Sequence, residues 1–156
     1  VLHEIEGLKI GILICYDAAF PEATRTLALL GADLIALPTN WPPGAEIMSS
    51  CSIPCRAMEN QVYFAAVNRV GEERGFPFIG ESSIVAPNGR FISRAQGTDP
   101  AIIYADVDPM VSRQKRIVRV PDKHVIDRLG DRRPEFYGLL TQPHNHPTPR
   151  QDYNRR

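Results

Sequence analysis

Cys15 closes an apolar run, Lys9–Cys15 (KIGILIC), and Pro21 and Glu22, residue types that open helices, follow shortly after it. A thiol attacks as its thiolate. A helix N-terminus favours that form through unpaired N–H groups and the positive end of the helix dipole. The backbone N–H groups of Tyr16 or Asp17 could then face an oxyanion formed on a substrate carbon. The arrangement is the cysteine counterpart of a strand–nucleophile–helix turn. A free cysteine is also commonly a small buried hydrophobe, and local chemistry leaves both readings open.

Asn40 and Trp41 follow a second apolar run and offer either a pocket wall or a turn residue with an aromatic lid. Arg56 and Glu59 stand i,i+3 on an expected helix, the spacing of a solvated ion pair. Glu81 is expected to be a surface carboxylate. Cys51 and Cys55, i,i+4, are expected to pack in the core, since no second pair completes a metal site. His3 and His124 could in principle serve a Cys–His arrangement, but no local motif supports one. No G-x-S-x-G, P-loop or G-x-G-x-x-G is present, and no metal or cofactor is expected.

The elements that must position Cys15 follow from periodicity. KIGILIC is expected to form a strand covered on both faces, and Ala23, Leu27 and Leu30 mark a helix that Gly31 stops. Asp33–Pro38 (DLIALP) is a second buried strand, making a parallel, right-handed crossover. Met48, Cys51, Cys55, Met58 and Val62 form a helical stripe that Pro54 either kinks or opens. Val62–Asn68 is a third strand, Asn88-Gly89 turns a hairpin, and Ala101–Asp108 is a last strand. The fold class is α/β, layered, with a parallel start and an antiparallel finish.

Length and composition suit one domain: 156 residues, 43% hydrophobic and 23% charged. Lys plus Arg and Asp plus Glu balance at 18 each, so no overall field argues for nucleic acid or an anionic membrane as partner. No apolar run has the length of a membrane span. Three cysteines without framework spacing favour a reducing compartment, and a cytoplasmic location is expected.

The stretch GLKIGILICYDAAFPE resembles the nucleophile motif of the nitrilase, or carbon–nitrogen hydrolase, superfamily. The likeness continues through GADLIALPTNW, RAMENQVYFAAVNRVG, GESSIVAPNGR and DRRPEFYG, from Gly7 to about Gly138. The resemblance implies an α-β-β-α sandwich and a Glu–Lys–Cys triad that hydrolyses non-peptide C–N bonds through a thioester. It implies Cys15 as nucleophile, the Tyr16 N–H as oxyanion donor, Asn40 and Trp41 in the pocket loop, and Arg56 with Glu59 bracing the site. The substrate would be a small amide or N-carbamoyl compound, less readily a nitrile.

The family's glutamate and lysine lie well upstream of its cysteine. Lys9, on the same strand, stands roughly 20 Å away along an extended chain and cannot replace that lysine. Residues 1–138 are therefore expected to be the C-terminal half of such a domain, and 139–156 a Pro-rich polar tail. The half alone should be catalytically poor. It should self-associate, as a homo-oligomer, or bind the missing N-terminal half. The alternative is a catalytically silent chain with a structural or interaction role.

Overall fold

The computed structural model describes residues 1–143; residues 144–156 of the expected tail, His144 and His146 among them, lie outside the described residues. The run before Cys15 forms β2 (Leu8–Ile12), which pairs antiparallel with β1 (Leu2–Ile5), His3 opposite Ile10. Helix α1 (Pro21–Leu29) starts on its proline. It ends where Gly31, at φ +94, takes the left-handed conformation and donates to Ala28 O, while Ala32 N donates to Leu27 O. β3 (Leu34–Thr39) returns parallel to β2, completing the expected crossover.

Helix α2 (Ile53–Asn60) leads to β4 (Tyr63–Asn68), parallel to β3 along its whole length. A small hairpin, β5 (Glu72–Glu73) and β6 (Phe76–Pro77), sits in the following loop. β7 (Ser83–Val85) then joins β4 antiparallel, and β8 (Phe91–Arg94) joins β7, giving a six-stranded mixed sheet ordered β1-β2-β3-β4-β7-β8. Asn88-Gly89 does turn this hairpin, but only Gly89 has positive φ. Gly89 N donates to Ala86 O and Arg90 N to Asn88 Oδ1, so the loop is longer than two residues. After α3 (Pro109–Arg113), β9 (Arg116–Val120) and β10 (His124–Asp127) make a separate hairpin.

Both long helices cover one face of the sheet. Ile35, Leu37, Phe64, Ala66 and Val85 pack there against Leu27, Ala28, Ile53 and Ala57, and side chains of this size contribute about 1.5–3 kcal/mol each when fully buried. Gly11 permits the close approach of α1: a Cβ there would stand 2.9 Å from side-chain atoms of Leu27 and Ile35. The other face is less protected, with Ile12 42% and Val67 61% exposed. The expectation that β2 is covered on both faces is therefore corrected. The described residues supply one α–β half of an α-β-β-α sandwich, and no second sheet packs on the far face.

Two further expectations change. Ala101–Asp108 forms no strand ladder among the described residues; Ile103, Ala105 and Val107 are half-buried while Ile102 and Tyr104 are exposed. Its alternation is that of a strand; its partner is not in the sheet. The stripe through Cys51, Cys55 and Met58 is likewise wrong, for all three are exposed and α2 buries Ile53, Ala57 and Asn60. A π-helical turn, Met48–Ser52, precedes α2, and the buried stripe through both is Ser49, Ile53, Ala57 and Asn60, one or two positions beside the expected one.

Candidate active site

Cys15 sits just past the carboxyl end of β2, at the edge where α/β sheets collect their ligands. Leu13 N donates to Ala36 O and holds the end of the strand to β3. Ile14 is still extended, and Cys15 then turns sharply to φ +46, a left-handed conformation rare for a side chain of this kind. The carboxylate of Asp17 accepts the Ile14 N–H at 2.9 Å, and Asp17 N donates to Ile14 O at 3.0 Å, so the turn is locked on both sides of the cysteine.

The consequence is an asymmetry between the two N–H groups beyond the thiol. That of Asp17 is spent on the turn, whereas that of Tyr16 makes no backbone bond among the described residues. The Tyr16 ring points outward, 70% exposed, and packs edge-on against Phe20. Cys15 itself is half-buried and not in a disulfide. A 3-10 turn, Cys15–Ala19, carries the chain from the thiol to Pro21, where α1 starts as expected.

Asn40 and Trp41 extend β3 at the same edge. Asn40 is exposed, and Trp41, 5% exposed, packs in the hydrophobic core. The loop is held by a residue the sequence reading passed over, Asn68, at the end of β4. Its Oδ1 accepts from Trp41 N at 2.7 Å and its Nδ2 donates to Gly80 O at 2.7 Å. Its own N–H donates to Ser82 Oγ. One buried carboxamide thus ties the β3–α2 loop and the segment before β7 to the carboxyl end of β4. The signal available was an asparagine directly ending an apolar strand, VYFAAVN.

Glu81 is not the surface carboxylate expected. At φ +57, it accepts a short hydrogen bond from Ser49 Oγ and pairs with Arg94 Nη2 at 3.0 Å. Ser49 is fully buried on the π-helical turn that packs against the turn of Cys15. Arg56 and Glu59 do pair, at 3.0 Å and largely buried. Burial lowers the pKa of Arg25 on α1, and the nearby Glu59 charge partly offsets this.

None of the three lysines reaches the Cys15 edge. Lys9 lies beside Gly31, and Lys123 is in the β9–β10 turn. Lys115 donates to Asn60 O and Gln61 O, and burial pushes its pKa down to about 8. Glu4 and Glu6 lie in and after β1, beside the start of β2. His3 is opposite Ile10, and His124 belongs to the separate hairpin. Among the described residues no cluster of His, Cys, Asp or Glu could hold a metal ion. No helix among them is long and apolar enough to cross a membrane.

The half-sandwich and its strand-end cysteine turn define a class. Residues 2–116 match the carbon–nitrogen hydrolase family, and the chain belongs to it. It is 42% identical over 138 residues to a nitrilase of Pyrococcus abyssi, covering 87% of this chain and 49% of that protein. It is 38% identical over 117 residues to the deaminated glutathione amidase of Escherichia coli, covering 74% and 43%. Among solved structures, an amidase mutant from Nesterenkonia sp. AN1 superposes with TM-score 0.73 at 29% identity, covering 88% of this chain and 46% of that one. That structure carries the acetamide moiety of fluoroacetamide, covalently added at its active-site cysteine. The chain spans about half the length of the curated relatives it matches.

Proposed function

We propose that residues 1–138 are the nucleophile-bearing half of an amidase-like carbon–nitrogen hydrolase acting on a small amide or N-carbamoyl compound. The observation that carries the proposal is the left-handed turn at Cys15 with the Tyr16 N–H left free beside it. The thiolate of Cys15 attacks the carbonyl carbon, and the electron pair moves to oxygen, where the Tyr16 N–H receives it. Collapse breaks the C–N bond, the amine leaves with a proton from a general acid, and a thioester remains. Water, deprotonated by the same group, hydrolyses the thioester to the acid and regenerates the thiol.

In this reading that general acid–base is a glutamate and the second oxyanion donor a lysine, neither of them among residues 1–138. Asn40 and Trp41 form a wall of the pocket; Arg56 with Glu59 supports the helix layer behind it. The exposed Ile12, Ile14 and Val67 support association with the complementary half or with further copies of the chain. Three free cysteines fit a reducing, cytoplasmic setting.

The test joins the chain to an upstream half carrying the glutamate and lysine, from its own gene or from the Nesterenkonia amidase. Ammonia release from simple amides and N-carbamoyl amino acids is then assayed. Cys15→Ser should abolish turnover by roughly a thousandfold or more. Activity surviving that change overturns the nucleophile assignment. No activity in any joined form, with the fold intact, favours the second reading of a silent chain with an interaction role.

A further inference from the structure

At the end of the sheet opposite Cys15, where β4 begins, a cleft of about 750 Å³ opens. It lies between the end of α2, the β7–β8 turn, α3 and the β9–β10 hairpin. Its size falls within the roughly 300–1,000 Å³ of small-ligand sites. Met58, Ile92, Met110 and Ile117 give it an apolar wall, and the first three are left substantially exposed. Two methionines make such a wall adaptable to chains of differing shape.

The charged lining of the cleft is three arginines against one carboxylate, Asp108, and is net positive. Arg116, Arg119 and Arg128 all line it, and none forms an ion pair among the described residues. Three carboxylates on these elements accept backbone N–H groups. Asp108 accepts from Met110 N, Asp127 from Leu129 N and Gly130 N, and Asp131 from Asp127 N. Tyr63, at the cleft floor, accepts Asp108 N at 3.3 Å and keeps its own hydroxyl proton to donate.

From this juxtaposition, three unpaired guanidinium groups beside an open apolar wall, we propose that the cleft binds a monocarboxylate bearing an apolar chain. The carboxylate is held by the arginines, whose planar forks match its geometry, and the chain lies along the Met58–Ile117 wall. A cation would meet three like charges, and a wholly apolar ligand would leave those charges unanswered. The site is independent of Cys15, which stands at the other end of the parallel strands.

The test measures decanoate binding to the chain by titration calorimetry, with decylamine of similar chain length as the opposite-charge control. Decanoate is expected to bind at one site and decylamine not to bind. The Arg116→Ser/Arg119→Ser variant, changed on an exposed hairpin, should weaken decanoate roughly tenfold or more. Ile92→Trp, which fills the cleft, should abolish binding, and Cys15→Ser should leave it unchanged. A diazirine-bearing decanoate should crosslink to the end of α2 and to the β9–β10 hairpin. Equal binding of decanoate and decylamine, no binding, or unchanged affinity in the arginine variant each overturns the proposal. So does crosslinking concentrated at Ile12 and Val67 on the open sheet face. Decanoate affinity that falls as rising protein concentration drives self-association places a second copy in the cleft and overturns it too.

Discussion

The backbone N–H of Trp41 donates to Oδ1 of Asn68 at 2.7 Å, across 27 positions of sequence, and both residues are buried. The same carboxamide donates to Gly80 O, so its loss leaves a buried donor and a buried acceptor without partners. Asn68→Ala should destabilise the fold by about 2–4 kcal/mol, measured by urea unfolding. Trp41 is the sole tryptophan of the chain, so its fluorescence reports this loop alone. The native emission should shift red as the loop loosens. An unshifted emission with native stability would mean that other contacts hold the loop.

Asp33 stands at the opposite end of β3 and is 1% exposed. It accepts from Arg113 Nε at 3.0 Å and Nη2 at 2.7 Å, from Ser112 Oγ at 2.9 Å and from Lys9 N at 3.0 Å. Burial alone would raise its pKa, but the Arg113 guanidinium, the Lys9 N–H and the Ser112 hydroxyl together hold it below the usual carboxylate range. A depressed carboxyl stabilises the fold fully above its unfolded pKa, and that contribution is lost as pH falls through the folded value. Acid unfolding below about pH 4 should therefore be steep in the native chain. Asp33→Asn should remove part of that steepness and cost about 2–3 kcal/mol at neutral pH, less than a fully buried pair because Arg113 can turn to solvent. The check is chemical denaturation of both proteins across the acid range.

For Lys115 the lowered value marks a charged form that folding disfavours. Its folded pKa of about 8 lies below the ordinary lysine value, so between those values the unfolded chain binds more protons. Stability should rise as pH climbs through that window, and the burden of the buried ammonium is fully present below it. Lys115 is only half-buried, which reduces the expected gain between pH 7.5 and 9.5 to about 1 kcal/mol. Lys115→Met should flatten this slope. An equal slope in both proteins would assign it to other groups.

The crossover from β2 through α1 to β3 was legible in the sequence because each step has a local cause: an apolar run, a proline start, a glycine stop. The Cys15 turn was legible for the same reason, though not its left-handed backbone. What escaped was set at a distance. Asp33 finds Ser112 and Arg113 across 79 and 80 positions, and nothing in DLIALP announces that its first residue will be buried and paired. Asn68 meets Trp41 and Gly80 only when three loops converge. The face of α2 was misjudged because two stripes there obey the three-and-four period, and the more apolar one, through Cys51, Cys55 and Met58, is exposed, while Ser49, Ile53, Ala57 and Asn60 are buried.

The segment Ala101–Asp108 joins these arguments to the missing layer. Its side chains alternate as in a strand, yet its amides have no ladder among the described residues, and Ile102 and Tyr104 are 78% and 79% exposed. A segment with this alternation and unpaired amides is a template for another strand. In the chain alone, its amides should exchange with solvent far faster than those of β3 and β4, whose paired strands form the centre of the sheet. When the complementary half is added, protection should appear at Ala101–Asp108 together with reduced exposure of Ile12 and Val67. Protection of that segment in a monomeric chain would place its partner within the chain and remove this reason for a second half. Rising protection with chain concentration, without the second half, would instead identify another copy as the partner. The same hydrogen-exchange experiment therefore separates a domain completed by its own upstream half from one completed by self-association.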